Sequence, residues 1–261
     1  MANKLAVITG ASTGIGFELA TLAAKEGYDL IVVANEALIQ AAAADFGQFG
    51  TAVESVEADL ATIDGVDRLL AAANGRQIDL LAANAATGTG GAFLDQDVSK
   101  WRHAIDTNVT GTVYLIQKVL RDMVARDAGK ILVVGSIAGY IPGSFNAIYN
   151  ATKAFVDNFT EALRNEIKDV KGVTLTTLMP GPTDTEFFAR AGMLDTKVGQ
   201  DDDKADPADV AKDGWDALMS GKGHIVSGLG NKIQVLGAGV VPQSVLAEQH
   251  RKMAEPGSGE D

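Results

Sequence analysis

A phenol and an ammonium group stand one helical turn apart in YNATK, Tyr149 to Lys153. On an α-helix, positions i and i+4 share a face, with Cβ atoms about 5–6 Å apart. A cation at that spacing favours the phenolate and draws the phenol below its reference pKa of about 10. Such a pair can exchange a proton with a substrate oxygen. The same spacing also arises on solvated helices, so the pair alone does not separate a proton-transfer device from an amphipathic surface. Thirteen residues upstream, Ser136 closes an apolar run in VVGSIAG, and Asn108 lies in NVTG within a stretch of helical period. Asparagine is unfavourable there because its side chain competes for backbone hydrogen bonds. Each has a plain alternative: a turn serine, and a solvent-facing asparagine beside a tolerated glycine.

A second cluster stands near the start. VITGASTGIGFELA carries Gly10, Gly14 and Gly16 directly after a strand-like run and at the opening of a helical pattern. Glycines there let the backbone turn tightly and approach a pyrophosphate, which then sits at the positive end of the helix. The spacing is one residue longer than the common dinucleotide fingerprint G-x-G-x-x-G. Glycine-rich strand–helix turns also arise for local reasons; placement after the first strand favours binding.

The elements that must position these residues are legible as alternating patterns. Short β-branched runs at 4–9, 29–34, 51–58, 78–84, 130–136, 173–179 and 224–228 predict strands,. Several are apolar throughout, as parallel strands buried on both faces require. Helical period predicts helices at 14–26, 36–47, 62–73, 98–125, 149–169 and 207–219,. This pattern is an α/β fold, a doubly wound (Rossmann-type) parallel sheet of about seven strands flanked by helices, with ligands at the carboxyl ends of the strands. Residues 1–250 read as a single dinucleotide-binding and catalytic domain. Charge and glycine at 186–205 suggest a mobile substrate loop or lid, or a surface insertion. The apolar segment 233–246 either docks on a neighbour or covers the chain's own pocket, and 251–261 reads as a disordered tail.

Composition narrows the function classes. The chain has 261 residues, 46% of them hydrophobic, and a net charge of −12. That charge disfavours nucleic acid and anionic membrane surfaces as partners. Cysteine is absent, which removes disulfides, zinc–thiolate sites and thiol nucleophiles and permits a reducing compartment. No run reaches the ~18 apolar residues of a membrane span, and the first residues lack a signal-peptide pattern; a cytoplasmic location is expected. His103, His224 and His250 are scattered, so no metal site is expected.

Taken together, these motifs resemble the short-chain dehydrogenases/reductases, whose first turn reads T-G-x-x-x-G-x-G, as Thr9 to Gly16 do. The serine–tyrosine spacing is also the family's. The resemblance implies cofactor contacts from Gly10, Ser12, Thr13, Gly14, Ile15 and Gly16. It adds Asp59 and Leu60 after the third strand, with Asp59 facing the adenine or, alternatively, capping the next helix. AANAA (82–86) resembles the family's N-N-A-G segment with Asn84 retained, while Ala83 and Ala86 replace the first asparagine and the glycine. PGPTDT (180–185) resembles its P-G-x-x-x-T segment, which assigns Pro180, Gly181, Thr183 and Thr185 to the nicotinamide end. Asn35, ending the second strand, stands where the family carries an acid for NAD(H) or a base for NADP(H). With Glu36 next and no cation in view, the balance favours NAD(H), with NADP(H) tolerated.

By the same resemblance, Tyr149 is the general acid/base, Lys153 lowers its pKa and binds the nicotinamide ribose, and Ser136 holds the substrate oxygen. Asn108 holds a water in the proton relay. The implied activity is NAD(P)-dependent interconversion of a carbonyl compound and a secondary alcohol. A non-catalytic cofactor sensor on the same fold is the alternative, and isomerisation or dehalogenation is a third. Ile141, Phe145, Phe187, Phe188 and Met193 suggest an apolar wall and a substrate that is not strongly anionic, although Arg190 and Lys197 leave an anion open. A homodimer or homotetramer through the helices carrying Asn108 and Tyr149 is implied.

Overall fold

The computed structural model describes residues 3–260. Seven parallel strands form one sheet: β1 Leu5–Thr9, β2 Asp29–Ala34, β3 Val53–Glu57, β4 Leu80–Ala83, β5 Gly129–Val134, β6 Val173–Met179 and β7 His224–Val226. Their spatial order is β3-β2-β1-β4-β5-β6-β7. The order in which strands are added therefore reverses between β1 and β4, the switch point where a crevice opens at the carboxyl ends,.

Alternation along each strand feeds two cores. Ala6, Ile8, Leu30, Val32, Leu132 and Leu178 face α1 (Gly14–Lys25), α2 (Leu38–Gly47) and α9 (Pro207–Met219), meeting Leu19, Phe46 and Trp215. Leu5, Val7, Ile31, Val33, Ile131 and Leu175 face the opposite layer, α3 (Ile63–Ala71), α5 (Thr112–Ala125) and α6 (Ala147–Glu166), meeting Leu69, Ile116 and Val156. Both faces are thus covered, which is why β4 and most of β1 and β5 are apolar,.

Three stretches depart from expectation. The helix expected over 98–125 is broken: α4 (Val98–Ile105) passes into a π-helical turn, Asp106–Gly111, before α5 begins. A Cβ on Gly111 would lie 1.9 Å from the Leu60 carbonyl oxygen, so the turn is pressed against the loop after β3. The 186–205 segment carries two short helices, α7 (Phe187–Arg190) and α8 (Lys197–Gln200), and Thr183 bridges to Ala205 beneath them.

The tail expected to be disordered is held. Beyond α10 (Leu229–Ala238), α11 spans Gln243–Ala254. The Gly257 N–H then donates to the Asp195 carboxylate at 2.9 Å, and the Lys197 N–H to Ser258 Oγ at 3.0 Å. Asp261 lies outside the described residues. No helix among those residues is long and apolar enough to cross a membrane.

Candidate active site

The chain leaves β1 through a turn that favours glycine. Gly10 and Gly14 lie at φ +64° and +60°, in the left-handed region that glycine enters without steric cost. Beneath the turn, Asn84 Nδ2 donates to the carbonyls of Thr9 (2.9 Å) and Gly10 (3.2 Å), and Thr9 Oγ1 accepts from the N–H groups of Asn84 and Ala85. The end of β4 is thereby stitched to the glycine turn. Thr13 opens α1 without capping it by its side chain, so the first-turn N–H groups have no side-chain acceptor there.

From this turn a cavity of about 330 Å³ runs along the carboxyl ends of the strands. Among the residues singled out from sequence, Gly10, Ser12, Thr13, Gly14, Ile15, Asn35, Asp59, Leu60, Asn84, Ser136, Tyr149, Lys153, Pro180, Gly181, Thr183 and Thr185 all line it. Gly16 and Asn108 do not. Gly16 lies under the turn, against Gly10. Asp59 is not the cap of α3: its carboxylate accepts from the Ala61 N–H at 3.0 Å, while Thr62 caps the helix.

Asn108 is a brace in the second layer. Its amide takes the Thr87 N–H and gives to the Thr87 carbonyl, both at 2.8 Å, and donates to Thr152 Oγ1 at 3.0 Å. Through it the π-turn ties the segment after β4 to α6, the helix that carries Tyr149. Asn108→Ala would remove the partner of both Thr87 main-chain groups, which are part-buried where Thr87 lines the cavity, at about 0.5–1.5 kcal/mol per hydrogen bond,. A loss of roughly 1–3 kcal/mol in urea unfolding is expected; a loss within error of zero would mean that the brace carries no load.

At the chemical end, Ser136 caps the turn Ile137–Tyr140, accepting from the Ala138 N–H at 3.1 Å, and its hydroxyl donates to the Pro180 carbonyl at 3.4 Å. That long second bond leaves the proton free to turn elsewhere. Tyr149 and Lys153 occupy successive turns of α6, with Lys153 Nζ 5.7 Å from the centre of the phenol ring. Lys153 is 4% exposed and gives one hydrogen bond, to the Val134 carbonyl at 2.7 Å, so two of its three donors remain.

Burial sets the titration here. It pushes the Tyr149 phenol up to about 12, with the Ser136 hydroxyl pulling the other way. The lowering expected from Lys153 is not seen, and Lys153 is itself pushed down by burial. One turn further along the same face lies Asp157, whose carboxyl burial pushes upward, opposed by Lys153. Neither of its oxygens finds a hydrogen-bond donor among the described residues. Sequence reading passed over it, although its i+4 spacing from Lys153 was the available signal.

The placement of two further residues emerges only in three dimensions. His250, on α11, lines the cavity with its Nδ1 2.8 Å from the Ser144 carbonyl. Arg190, on α7, lines the cavity and pairs with Glu36 at 2.9 Å across 154 residues of sequence. Phe187 on that same helix sets its ring 4.8 Å from that of Tyr149, tilted by 51°. The expected wall residues Ile141, Phe187, Phe188 and Met193 all line the cavity; Phe145 packs beside them.

Comparison with known proteins places this geometry. The short chain dehydrogenase family pattern matches residues 4–193. An uncharacterized oxidoreductase of Staphylococcus aureus (strain MW2) is 32% identical over 213 residues, covering 80% of this chain and 88% of the relative. A short-chain dehydrogenase from Sphingobium yanoikuyae, solved in complex with NADPH, superposes with a TM-score of 0.81 at 27% identity, covering 90% of this chain and 93% of that one. The fold of a short chain dehydrogenase/reductase from Burkholderia phymatum, solved in complex with NAD, superposes at 0.82 with 23% identity, covering 90% and 92%. A turn built by Gly10 and Gly14, a phenol and an ammonium on one helix, and a match over most of the chain agree: this protein belongs to the short-chain dehydrogenase family of oxidoreductases.

Proposed function

We propose that this protein interconverts a carbonyl compound and a secondary alcohol by hydride transfer, with a nicotinamide dinucleotide in the cavity and Tyr149 as general acid/base. The observation that carries the reading is that Ser136, Tyr149 and Lys153 line one cavity with the glycine turn. The uncapped α1 terminus suits a pyrophosphate, and the two spare donors of Lys153 suit the hydroxyls of the nicotinamide ribose. Pro180, Gly181, Thr183 and Thr185 would hold the carboxamide, and Asp59, Leu60 and Asn35 the adenosine. When bound, the dinucleotide would supply the hydride in reduction and accept it in oxidation.

The remaining work falls to this chain. Ser136 turns its hydroxyl from the Pro180 carbonyl toward the substrate oxygen, where negative charge develops in reduction. Tyr149 delivers its proton to that oxygen and, in the reverse direction, removes it. Lys153 holds positive charge beside the phenolate that remains. Because the Asn108 amide is spent on Thr87 and Thr152, a water in the relay to solvent would rest on its main-chain carbonyl. Phe187, Phe188, Ile141 and Met193 favour a ketone of apolar body over an anion. We place the whole activity in one domain, residues 1–250, in a homodimer or homotetramer of the cytoplasm. Phe155, 44% exposed and stacked on Phe159, is available for assembly through α6.

The test is turnover: the protein with NAD+ or NADP+ and a panel of secondary alcohols should produce the reduced cofactor, followed by absorbance. A protein that binds the dinucleotide tightly but turns over no alcohol, and no ketone with NADH or NADPH, would be a sensor instead.

A further inference from the structure

The end of β2 holds an ion pair that sequence proximity could not reveal. Glu36 Oε1 accepts from Ser12 Oγ at 2.5 Å, and Arg190 Nη2 reaches the same oxygen at 2.9 Å. Ser12 belongs to the glycine turn and Arg190 to α7. Ser12, Asn35 and Arg190 all line the cavity, whereas Glu36 stands behind them. Apart from Lys153 at the opposite end, Arg190 is the only lysine or arginine lining it among the described residues.

These positions give Arg190 a second possible partner. At the end of the second strand of a doubly wound sheet, an acid hydrogen-bonds the adenosine ribose, and a nearby arginine accommodates a 2′-phosphate. Here the acid and the arginine are both present and neutralise each other. The pair is not locked, because the Arg190 and Glu36 side chains are 44% and 33% exposed, and exposed pairs contribute little. A phosphate dianion offers the guanidinium a bidentate, charge-assisted contact that a single carboxylate oxygen does not.

We propose that Arg190, carried on the substrate-side segment, is the residue that admits a 2′-phosphate at the cofactor's adenosine end, in competition with Glu36. The inference rests on the dinucleotide site proposed above. It also joins two specificities, since the four-residue helix that bears Arg190 bears Phe187 against Tyr149. Arg190 turned toward a phosphate draws that helix over the cavity, and Arg190 held by Glu36 leaves an uncharged ribose to Asn35.

Titration of NADH and NADPH into the protein, followed by nicotinamide fluorescence, tests this without turnover. Arg190→Gln should weaken NADPH binding about tenfold, the size of one lost hydrogen bond to a charged group, with NADH within about twofold. Arg190→Lys should restore part of the NADPH affinity, and Glu36→Gln should raise it by freeing the guanidinium. The NADPH effect should shrink at high salt, as a screened contact must. Equal changes for both cofactors in Arg190→Gln, or none for either, would overturn the proposal while leaving the dinucleotide site standing. A wild-type protein that binds neither would instead remove the site on which it rests.

Discussion

Tyr149→Phe should cut turnover by a factor on the order of 10²–10⁴, the usual contribution of a positioned general acid or base, while NADH affinity stays within about twofold. The substitution removes one oxygen and leaves the ring in place against Phe187 and Lys153. The fold and the glycine turn should therefore be unaffected, and thermal melts should show it. Rapid cofactor oxidation by the variant with a ketone that the wild type reduces would take Tyr149 out of the chemistry. The pH profile carries the same assignment. With the phenol at about 12, the reducing direction, which needs the proton, should be flat through neutrality. The oxidising direction needs the phenolate, so its rate should climb with pH by about tenfold per unit on the alkaline side. An oxidation rate that stays level with pH below the point where Lys153 loses its charge would mean that Tyr149 is not the base.

Gly16→Ala should be the most damaging single methyl in the cofactor half. A Cβ at residue 16 would sit 2.1 Å from the Gly10 carbonyl oxygen and 2.5 Å from Asn84 Nδ2. Neither neighbour can yield, because the Gly10 carbonyl is fixed in the turn and the Asn84 amide is what stitches β4 to it. Overpacking of this kind costs about 1–3 kcal/mol. Because relief must come from moving the turn itself, dinucleotide affinity should fall on the order of 100-fold, about 2.8 kcal/mol of binding energy. Nicotinamide fluorescence and a melting curve read both effects. Undiminished binding with an unchanged melt would mean that the turn has room that its geometry denies.

What was legible in the sequence is what local periodicity and spacing encode. The seven strands, the glycine turn and the Tyr149–Lys153 face could be read because each depends on residues within a few positions of one another. The helix over 98–125 was misread as continuous because the pattern of Leu115, Ile116 and Val119 keeps its phase. The tight approach of Gly111 to Leu60, which opens the π-turn, lies fifty residues away in sequence. The tail beyond Ala254 reads as disordered from its small and polar residues, yet it gains bonds to Asp195 and Lys197 that composition does not foretell. Arg190 and Glu36 are the sharpest case. Each was visible, and the absence of a cation beside β2 was noted, but the pairing of an α7 residue with a β2 end is a property of topology alone.

The stitch between Asn84 and the glycine turn spans 75 residues, the brace between Asn108 and α6 spans 44, and the Glu36–Arg190 pair spans 154. No local folding unit contains the cavity. A parallel sheet closes its loops before its contacts reward them, so such chains acquire structure slowly and expose apolar strands on the way. The cavity is therefore complete only once these distant segments have met. A ligand that binds only the completed crevice adds about 2.7 kcal/mol at 100 times its dissociation constant. In a cell, the supply of nicotinamide cofactor would then govern how much of this protein persists as well as how fast it works.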